Sequence, residues 1–362
     1  MNKIIRLSLK KNPYNIYVGG GLLRRLPHLV GRTKIGRDAV VVTTQAVRTL
    51  YGKQLDETLK KFCRSVLWLV VPDSEKSKNA QLALRLIGQI MAFDKNKSLF
   101  LVAFGGGVVG DLTGFMAAIY KRGIPYLQIP TTLLAQIDSS IGGKTAIDTA
   151  FGKNLIGAFY QPRFVLCDIN LLGSLPKEQI LAGLSEAVKY AVIGDPELFD
   201  FLQKNRLSIL AKKTATLARV VWTCAGIKAK VVARDEFDQK GIRIILNFGH
   251  TFGHALEAAS NFKISHGQGV SIGMVCATRL SEKCGLINPK EAAKIVRLIE
   301  AFGLKTKAKG IRQAPVLRAL AYDKKCLKGR NRFVLIQKIG KTKILESIPQ
   351  ALIRKVLTQH LA

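Results

Sequence analysis

The sequence predicts an α/β N-terminal domain that is Rossmann-like with a mainly parallel sheet, followed by a mostly α-helical C-terminal domain. Before about residue 176, short apolar runs alternate with segments of helical periodicity, as in parallel sheets covered on both faces. After it, long amphipathic helical patterns dominate. The chain of 362 residues is long enough for two cores. We therefore expect domains at residues 1–179 and 180–362.

The predicted strands of the first domain are short and rich in β-branched and aromatic residues. They are AVVVTT (39–44), SVLWLVV (65–71), SLFLVAF (98–104), PYLQIP (125–130) and RFVLCD (163–168). A helical pattern at 80–91 separates two of them. In the second domain, helices are predicted at 177–192, about 209–233, 250–260, 269–284 and 290–302, with a strand pair near 332–347.

Composition limits the protein class. No apolar run reaches the length of a membrane span, and the N-terminus MNKIIRLSLKKNPY has no signal-peptide core. The 6 cysteines include no CxxC pair, which favours reduced thiols in the cytoplasm. The net charge of +33 permits nucleic-acid binding, steering of an anionic substrate, or a basic surface without a specific partner. No nucleic-acid-binding motif accompanies the charge, so we favour the last alternative.

Two stretches that follow predicted strands suit a nucleotide. FGGGVVGD (104–111) places glycines at a strand-to-helix turn, where backbone N–H groups approach a phosphate; a tight turn alone explains the same glycines. It is not GxGxxG. In PDSEKSKN (72–79), Asp73 or Glu75 is a candidate to accept ribose hydroxyls, although this stretch taken alone favours a polar loop with a helix cap. Further on, Lys144, Lys153 and Asn154 follow glycines in polar loops that suit an anion.

The histidines are concentrated. Of 5 in the chain, His250, His254 and His266 lie in one stretch, NFGHTFGHALEAASNFKISHGQGV. On a helix, His250 and His254 share a face and form a good metal pair, whereas capping or core hydrogen bonding is the alternative. A carboxylate ligand has to come from another helix, and LSEAVKY offers Glu186.

Basic and amide side chains lead into this stretch. Lys228, Arg243 and Asn247 are candidates to converge on one anion. Arg243 and Asn247 are spaced i, i+4, and Asn247 and His250 are spaced i, i+3, which predicts one repeated helical face.

Taken together, the motifs resemble the 3-dehydroquinate synthase family of sugar-phosphate cyclases. They run in family order over nearly the whole chain: YNIYVGGGLL, GGGVVGDLTGFMAAIYKRG, IPTTLLAQIDSSIGGKTAID, GKNLIGAFYQP, LPKEQILAGLSEAVKY, NFGHTFGHALE and YDKK. The resemblance implies a bound NAD, one divalent metal (zinc or cobalt) and a phosphorylated sugar-acid substrate, 3-deoxy-D-arabino-heptulosonate 7-phosphate. It makes 1–179 the NAD-binding domain and 180–362 the metal- and substrate-binding domain. It also implies a homodimer and no nucleic-acid or membrane partner.

The resemblance assigns roles residue by residue. The metal ligands fall on Glu186, His250 and His266, which makes His254 a catalytic residue rather than a ligand. NAD contacts fall on Asp73, Glu75, Lys78, Gly107, Val108, Val109, Gly110, Asp111, Thr131, Thr132, Lys144 and Lys153. Substrate contacts and catalysis fall on His254, Lys144, Lys189, Lys228, Arg243, Asn247, Asn154 and Arg122, and on Lys324 or Lys325.

Three motifs depart from the family pattern, at four positions. HGEAV reads HGQGV, with Gln268 and Gly269; DGExxK reads DSEKSK, with Ser74; and Asp238 stands where a glutamate is commoner. Other sugar-phosphate cyclases, such as 2-deoxy-scyllo-inosose synthase, are the alternative within this class. A basic nucleic-acid-binding protein on a degenerate enzyme scaffold is the alternative outside it. Arg243 and Asn247 suit a substrate that bears a carboxylate, which favours the dehydroquinate synthase interpretation.

Overall fold

The structure, a computed structural model, describes residues 3–33, 35–321 and 332–361. It divides into two compact units, Met1–Leu175 with Thr214–Phe237, and Pro176–Lys213 with Asp238–Ala362. The single sequence boundary near residue 180 therefore misses one segment, because the helix Thr214–Arg234 packs against the first two strands and the turn at Ala135–Ser139. The amphipathic pattern of this segment predicted a helix but did not indicate which of the two units the helix packs against.

Eleven strands occur in the described residues. They are β1 (Lys3–Leu7), β2 (Tyr14–Gly19), β3 (Asp38–Thr44), β4 (Ser65–Val71), β5 (Leu99–Gly105), β6 (Tyr126–Pro130), β7 (Lys144–Thr149), β8 (Gly152–Phe159), β9 (Phe164–Asp168), β10 (Arg332–Lys338) and β11 (Lys341–Glu346). The five predicted strands of the first half and the predicted C-terminal pair are confirmed within a residue or two at each end.

Thirteen α-helices occur in the same residues. They are α1 (Leu26–Gly31), α2 (Gln45–Leu59), α3 (Ala80–Phe93), α4 (Gly107–Ile119), α5 (Lys177–Gly194), α6 (Pro196–Lys204), α7 (Arg206–Leu210), α8 (Thr214–Arg234), α9 (His250–Ala259), α10 (His266–Lys283), α11 (Pro289–Ala301), α12 (Gln313–Ala321) and α13 (Gln350–His360). The pattern at 209–233 is split between α7 and α8, and α10 begins at His266 rather than at 269. None of the described helices is long and apolar enough to span a membrane.

The first unit is built on a seven-stranded sheet in the order β1-β2-β9-β6-β5-β3-β4. All its neighbours pair in parallel except β1 with β2. Because the chain reaches β4 on one side of β3 and then returns to β5 on the other, the carboxyl ends of β3 and β5 form a topological switch point, where such sheets bind ligands. Separate apolar clusters cover the two faces, which explains why these strands read as continuous apolar runs.

The second unit is helical, and α9 and α10 are its closest pair of helices. Glycines allow this approach. A Cβ on Gly273 of α10 would lie 2.0 Å from the carbonyl oxygen of Gly249, and one on Gly253 would lie 2.9 Å from the backbone of Gly269. Gly249 also has φ 80°, which favours glycine at the start of α9. The glycines thus fix how α9 and α10, which carry the three clustered histidines, lie against each other.

Replacing Gly273 with alanine is expected to lower the free energy of unfolding by about 3 kcal/mol, because backbone atoms cannot yield to the added methyl as a side chain would. Chemical denaturation measures the change. Gly226→Ala is the matched control, since a methyl added to this glycine of α8 would have nothing within 4 Å of it. It should gain about 0.5–1 kcal/mol through helix propensity. Equal effects of the two substitutions would contradict the close-packing argument.

Candidate active site

The glycine-rich turn stands where the sequence predicts an anion site. Gly107 begins α4 directly after β5, so the first N–H groups of α4 lack partners within the helix. A Cβ on Gly106 would lie 3.1 Å from Thr132 Cγ2, and one on Gly107 would lie 3.1 Å from Ser139 Oγ. Ser139 Oγ is buried and has no hydrogen-bond partner among the described residues. This narrow cradle of N–H groups and a hydroxyl fits a nucleotide phosphate.

The other residues predicted for this cradle differ in what they expose. Val109 lies in the core, and Gly110 is also buried, whereas Val108 is half-buried. The backbone N–H of Thr131 donates to the carbonyl of Gly105, at 2.9 Å. Thr132 Oγ1 accepts from the N–H of Ala135 at 3.1 Å. The turn therefore offers backbone groups rather than side chains at most of these positions.

Asp73 and Glu75 are both exposed in the loop after β4, next to β3 in the sheet. The hydroxyl of Ser74 caps a short 3-10 turn at Glu75–Ser77, and Asn79 caps α3. Two side chains of this loop therefore act as helix caps, which was one of the two interpretations of the sequence. Its carboxylates also stand at the strand ends where ribose hydroxyls are bound in dinucleotide folds.

Lys78 is the centre of a polar network in the first unit. It is buried, and its Nζ donates to Asp111 Oδ2 at 2.7 Å and to Asn154 Oδ1 at 2.5 Å. Burial disfavours the ammonium, but the charges of Asp111, Glu75 and Asp148 outweigh it and raise the pKa of Lys78. Burial also raises the pKa of Asp111 to about 6, and Lys78 limits the rise. Three predicted site residues from distant parts of the chain thus converge.

The predicted lysines of the glycine-rich loops lie on a β-hairpin. Lys144 begins β7, Lys153 and Asn154 lie in β8, and all three are exposed. The hairpin packs on α4 at Gly114, where a Cβ would lie 2.3 Å from Thr145. The structure therefore holds these three residues together on one element that is fixed against the helix after the glycine-rich turn.

Arg122 lies in a different place, in the short 3-10 turn Tyr120–Arg122 that follows α4. Its φ is 62°, in the left-handed region that few residues other than glycine adopt. The side chain is exposed. Arg122 thus stands at the opposite end of α4 from Gly107.

Sequence reasoning missed Asp138, which lies in a single π-helical turn at Ala135–Ser139. The ammonium of the buried Lys228 forms an ion pair with its carboxylate and donates to its carbonyl oxygen at 2.7 Å. Insertions of this type are frequent at functional sites. Asp138 belongs to the quoted motif IPTTLLAQIDSSIGGKTAID, but nothing in its spacing indicated a partner 90 residues away.

In the second unit, Glu186 is fully buried on α5, whose neighbouring positions are almost all buried too. Its carboxylate forms an ion pair with Lys189, one turn further along the helix. Oε1 lies 3.4 Å from His250 Nε2 and 3.5 Å from His266 Nε2. Burial raises the pKa of this carboxyl, but Lys189 and His250 lower it further, so that it lies well below its usual value. Glu186 is therefore a buried charge rather than a solvated surface glutamate.

The two imidazoles present the same edge to Glu186. His250 Nδ1 faces the carbonyl oxygen of Phe248 at 3.2 Å, and His266 Nδ1 faces Glu257 Oε1 at 3.1 Å. With both Nδ1 atoms donating, Nε2 is in each case the nitrogen that faces the Glu186 carboxylate. A carboxylate oxygen and two imidazole nitrogens that converge suit a divalent cation, and this set of ligand atoms suits zinc or cobalt. Their ligand atoms lie within 4.8 Å of one another.

His254 joins the cluster without facing Glu186. Its ring centroid lies 5.3 Å from that of His250 and 6.1 Å from that of His266, and its side chain is exposed. Among the described residues, the groupings with metal-ligand geometry are Glu186–His250–His266 and His254–Glu257–His266, so neither pairs the i, i+4 histidines. The geometry thus favours the ligand set that the family resemblance implies over the pair inferred from spacing alone.

Arg243 and Asn247 do not share a continuous helix with the histidines, and that prediction is wrong. They lie in a separate 3-10 turn, Arg243–Asn247, which Phe248 and the left-handed Gly249 divide from α9. Arg243 is buried and Asn247 half-buried. Lys324 and Lys325 lie outside the described residues.

Comparison with solved structures defines the class of fold. The structure matches a 2-deoxy-scyllo-inosose synthase complexed with carbaglucose-6-phosphate, NAD+ and Co2+ at a TM-score of 0.90 and 24% identity, over 99% of this chain and 100% of the other. It also matches ValA, a 2-epi-5-epi-valiolone synthase from Streptomyces hygroscopicus subsp. jinggangensis 5008 with NAD+ and Zn2+ bound, at a TM-score of 0.88 and 26% identity, over 97% and 98% of the two chains. The predicted fold class is confirmed: the chain has the fold of these two synthases.

Sequence comparison defines the family. The family models described as 3-dehydroquinate synthase N-terminal and C-terminal match residues 68–182 and 183–326. The 3-dehydroquinate synthase of Desulforamulus reducens is 41% identical over 359 residues, which are 98% of this chain and 99% of that protein. The chain belongs to the 3-dehydroquinate synthase family.

Replacing Lys78 with methionine is expected to leave Asp111 as a buried, uncompensated charge. Because the Asp111 side chain is 20% exposed, we expect a loss of about 2–3 kcal/mol at pH 8, below the full cost of breaking a buried pair. Without Lys78 the pKa of Asp111 rises beyond about 6, far above that of an unfolded aspartate. The penalty is then complete above the folded pKa and fades as the carboxyl is protonated below it.

Urea unfolding at pH 5 and pH 8 measures this difference. Lys60→Met is the control, because it removes an ion pair with Asp56 whose lysine is 70% exposed. It should leave the free energy of unfolding nearly unchanged at either pH, because an exposed ion pair contributes little to stability. A Lys78→Met penalty that is the same at both pH values would contradict the role of Asp111.

Proposed function

We propose that this chain is a 3-dehydroquinate synthase, a carbon–oxygen lyase that converts 3-deoxy-D-arabino-heptulosonate 7-phosphate to 3-dehydroquinate and phosphate. This reaction belongs to the shikimate pathway, which leads to chorismate and the aromatic amino acids. Family membership supports the reaction class. The observation that carries the proposal is the buried Glu186 carboxylate, with the Nε2 atoms of two histidines directed at the same oxygen.

The proposed cofactors are NAD and one divalent metal, zinc or cobalt. When bound, the metal supplies a Lewis acid for the substrate's alcohol oxygens and NAD supplies a reversible hydride acceptor. Glu186, His250 and His266 would hold the metal, leaving a coordination position for substrate, as catalytic sites require. The cradle at Gly106 and Gly107 and the acidic loop after β4 would hold the nucleotide.

The remaining residues are proposed to bind and orient the substrate. Lys144, Lys228 and Arg243 carry the charge that the phosphate and carboxylate need, and charge-assisted hydrogen bonds to such groups are strong. Lys189 neutralises part of the Glu186 charge at Oε2, whereas the histidines face Oε1. Asn154 is held by Lys78, so its amide has a fixed position. Asn247 and Arg122 complete the proposed substrate contacts.

His254 is proposed as a catalytic residue near the substrate's phosphate and its carbon-6 proton. Its ring is exposed while those of the proposed ligands are buried or half-buried, which suits a group that has to meet substrate. Loss of phosphate by elimination requires that carbon 5 be a ketone, which makes the carbon-6 proton acidic, and that a neighbouring acceptor take this proton. Positioning supplies much of the rate. The substrate's own phosphate, oriented by cationic residues, is one such acceptor.

A different sugar-phosphate cyclase is the alternative, since two solved structures with this fold are a 2-deoxy-scyllo-inosose synthase and a 2-epi-5-epi-valiolone synthase. Two observations favour dehydroquinate synthase. Two 3-dehydroquinate synthases are about 40% identical to this chain over nearly its full length. The buried Arg243 also offers a guanidinium suited to a carboxylate. We further propose a cytoplasmic homodimer with no nucleic-acid or membrane partner, in which the +33 charge is distributed over solvated surface.

Phosphate release from 3-deoxy-D-arabino-heptulosonate 7-phosphate, with zinc and substoichiometric NAD, tests the reaction. We expect many turnovers per NAD and no net NADH, because the hydride returns to the product. His250→Ala should lower turnover at least about 100-fold by removing a metal ligand, while His28→Ala, an exposed histidine of α1, should leave it unchanged. Wild-type protein that releases no phosphate would overturn the proposal; an active His250→Ala enzyme would overturn only the ligand assignment.

Arg243→Gln tests the substrate class. Loss of a charge-assisted contact with the carboxylate should raise KM for the sugar acid by roughly 10- to 100-fold. Arg297→Gln, on the exposed side of α11, should leave KM unchanged. Glucose 6-phosphate, which has no carboxylate, should not be turned over by either protein. Efficient turnover of glucose 6-phosphate by the wild type would favour the alternative cyclase.

A further inference from the structure

Glu257 is a buried carboxylate beside the proposed metal ligands, and neither the motifs nor the proposed reaction gives it a role. It lies on α9, and its side chain is 8% exposed. Its Oε1 lies 3.1 Å from His266 Nδ1. A charged group is costly to bury unless it is paired, and this imidazole is a partner within hydrogen-bond distance. The carboxylate is therefore directed at one ligand.

The contact fixes Nδ1 of His266 as a hydrogen-bond donor. A carboxylate accepts a hydrogen bond but cannot donate one at neutral pH, so Nδ1 carries a proton and Nε2 is the nitrogen left to ligate a metal. Nε2 is the atom that lies 3.5 Å from Glu186 Oε1, at the convergence point of the proposed ligands. His250 achieves the same orientation with the neutral carbonyl of Phe248. The two histidines thus differ in the partner of Nδ1, which is a neutral carbonyl for His250 and a carboxylate for His266.

The backbone around His266 is held independently of Glu257. His266 is the first residue of α10, and Ser265 and Gln268 form a capping box across it, with Gln268 Oε1 accepting from Ser265 N at 3.3 Å. Gly269 leaves room for the carboxylate, because a Cβ there would lie 3.0 Å from Glu257 Oε1. Both Gln268 and Gly269 depart from the family pattern. The contact with Glu257 therefore acts on the orientation of the His266 imidazole rather than on its backbone.

We propose that Glu257 is a positioning residue that orients His266 for the metal and increases its strength as a ligand. The inference rests on the proposed metal site and deepens it. A carboxylate behind a ligating imidazole fixes the ring and makes it more basic, and losing such a partner typically weakens metal binding about 10- to 100-fold. Glu257 itself is not a ligand in this arrangement, although His254, Glu257 and His266 form a second geometric grouping.

Zinc affinity tests the proposal without any reliance on turnover. Purified, metal-free proteins are titrated with zinc against a chromogenic chelator, and the cobalt forms are compared by their visible spectra. Glu257→Ala should weaken zinc binding about 10- to 100-fold, and Glu257→Gln, which keeps an oxygen acceptor but loses the charge, by less. Glu282→Gln is the matched control, because it removes a carboxylate of the same unit that pairs with Arg279. It should bind zinc like the wild type.

The outcomes separate the inference from the site. Wild-type affinity in Glu257→Ala would overturn the positioning role while leaving the metal site in place. Zinc binding lost as completely in Glu257→Ala as in Glu186→Gln would make Glu257 a ligand, which also overturns the proposal. A wild-type chain that binds no zinc would overturn the site and the inference together. Thermal unfolding of the metal-free forms establishes that each variant is folded, and Glu257→Gln decides the question if the alanine variant is not.

Discussion

The burial of the Glu186 carboxylate is the constraint on which the second unit depends. An ionised carboxylate in an apolar helix is unfavourable unless cations or donors surround it. Lys189 supplies one charge from the same helix, and His250 and His266 approach Oε1 with their Nε2 atoms. This convergence of a carboxylate oxygen and two imidazole nitrogens suits a divalent cation. The family membership of the chain agrees with this chemistry.

Two imidazoles can approach one carboxylate only because their helices approach each other. Glycines at the contact between α9 and α10 let the backbones come together, and each glycine gives up side-chain packing to do so. Gly249 also ends the preceding 3-10 turn, so that His250 starts a new helix with its side chain directed inward. The close helix packing and the position of the histidines are consequences of the same few residues.

The first unit also buries a charged side chain, which in this case is a cation. A buried ammonium, Lys78, is held by Asp111 from the glycine-rich turn and Asn154 from a hairpin. These bonds tie the loop after β4 to the residues after β5, at the switch point of the sheet. The same groups that satisfy the buried charge also set the shape of the proposed nucleotide site. Stability and binding are therefore coupled at Lys78, as they are at Glu186.

The sequence by itself determined the fold class, most strands and helices, and the residue types of the site, because apolar periodicity and ordered motifs are local properties. It misjudged what depends on distant packing. Spacing joined Arg243 to the histidine helix, and a single boundary cut off α8. Only the tertiary structure decided that Glu186 is buried, that Lys228 meets Asp138 and that Glu257 supports His266. Those facts arise from contacts between segments far apart in the chain or across a turn, and no local pattern encodes them.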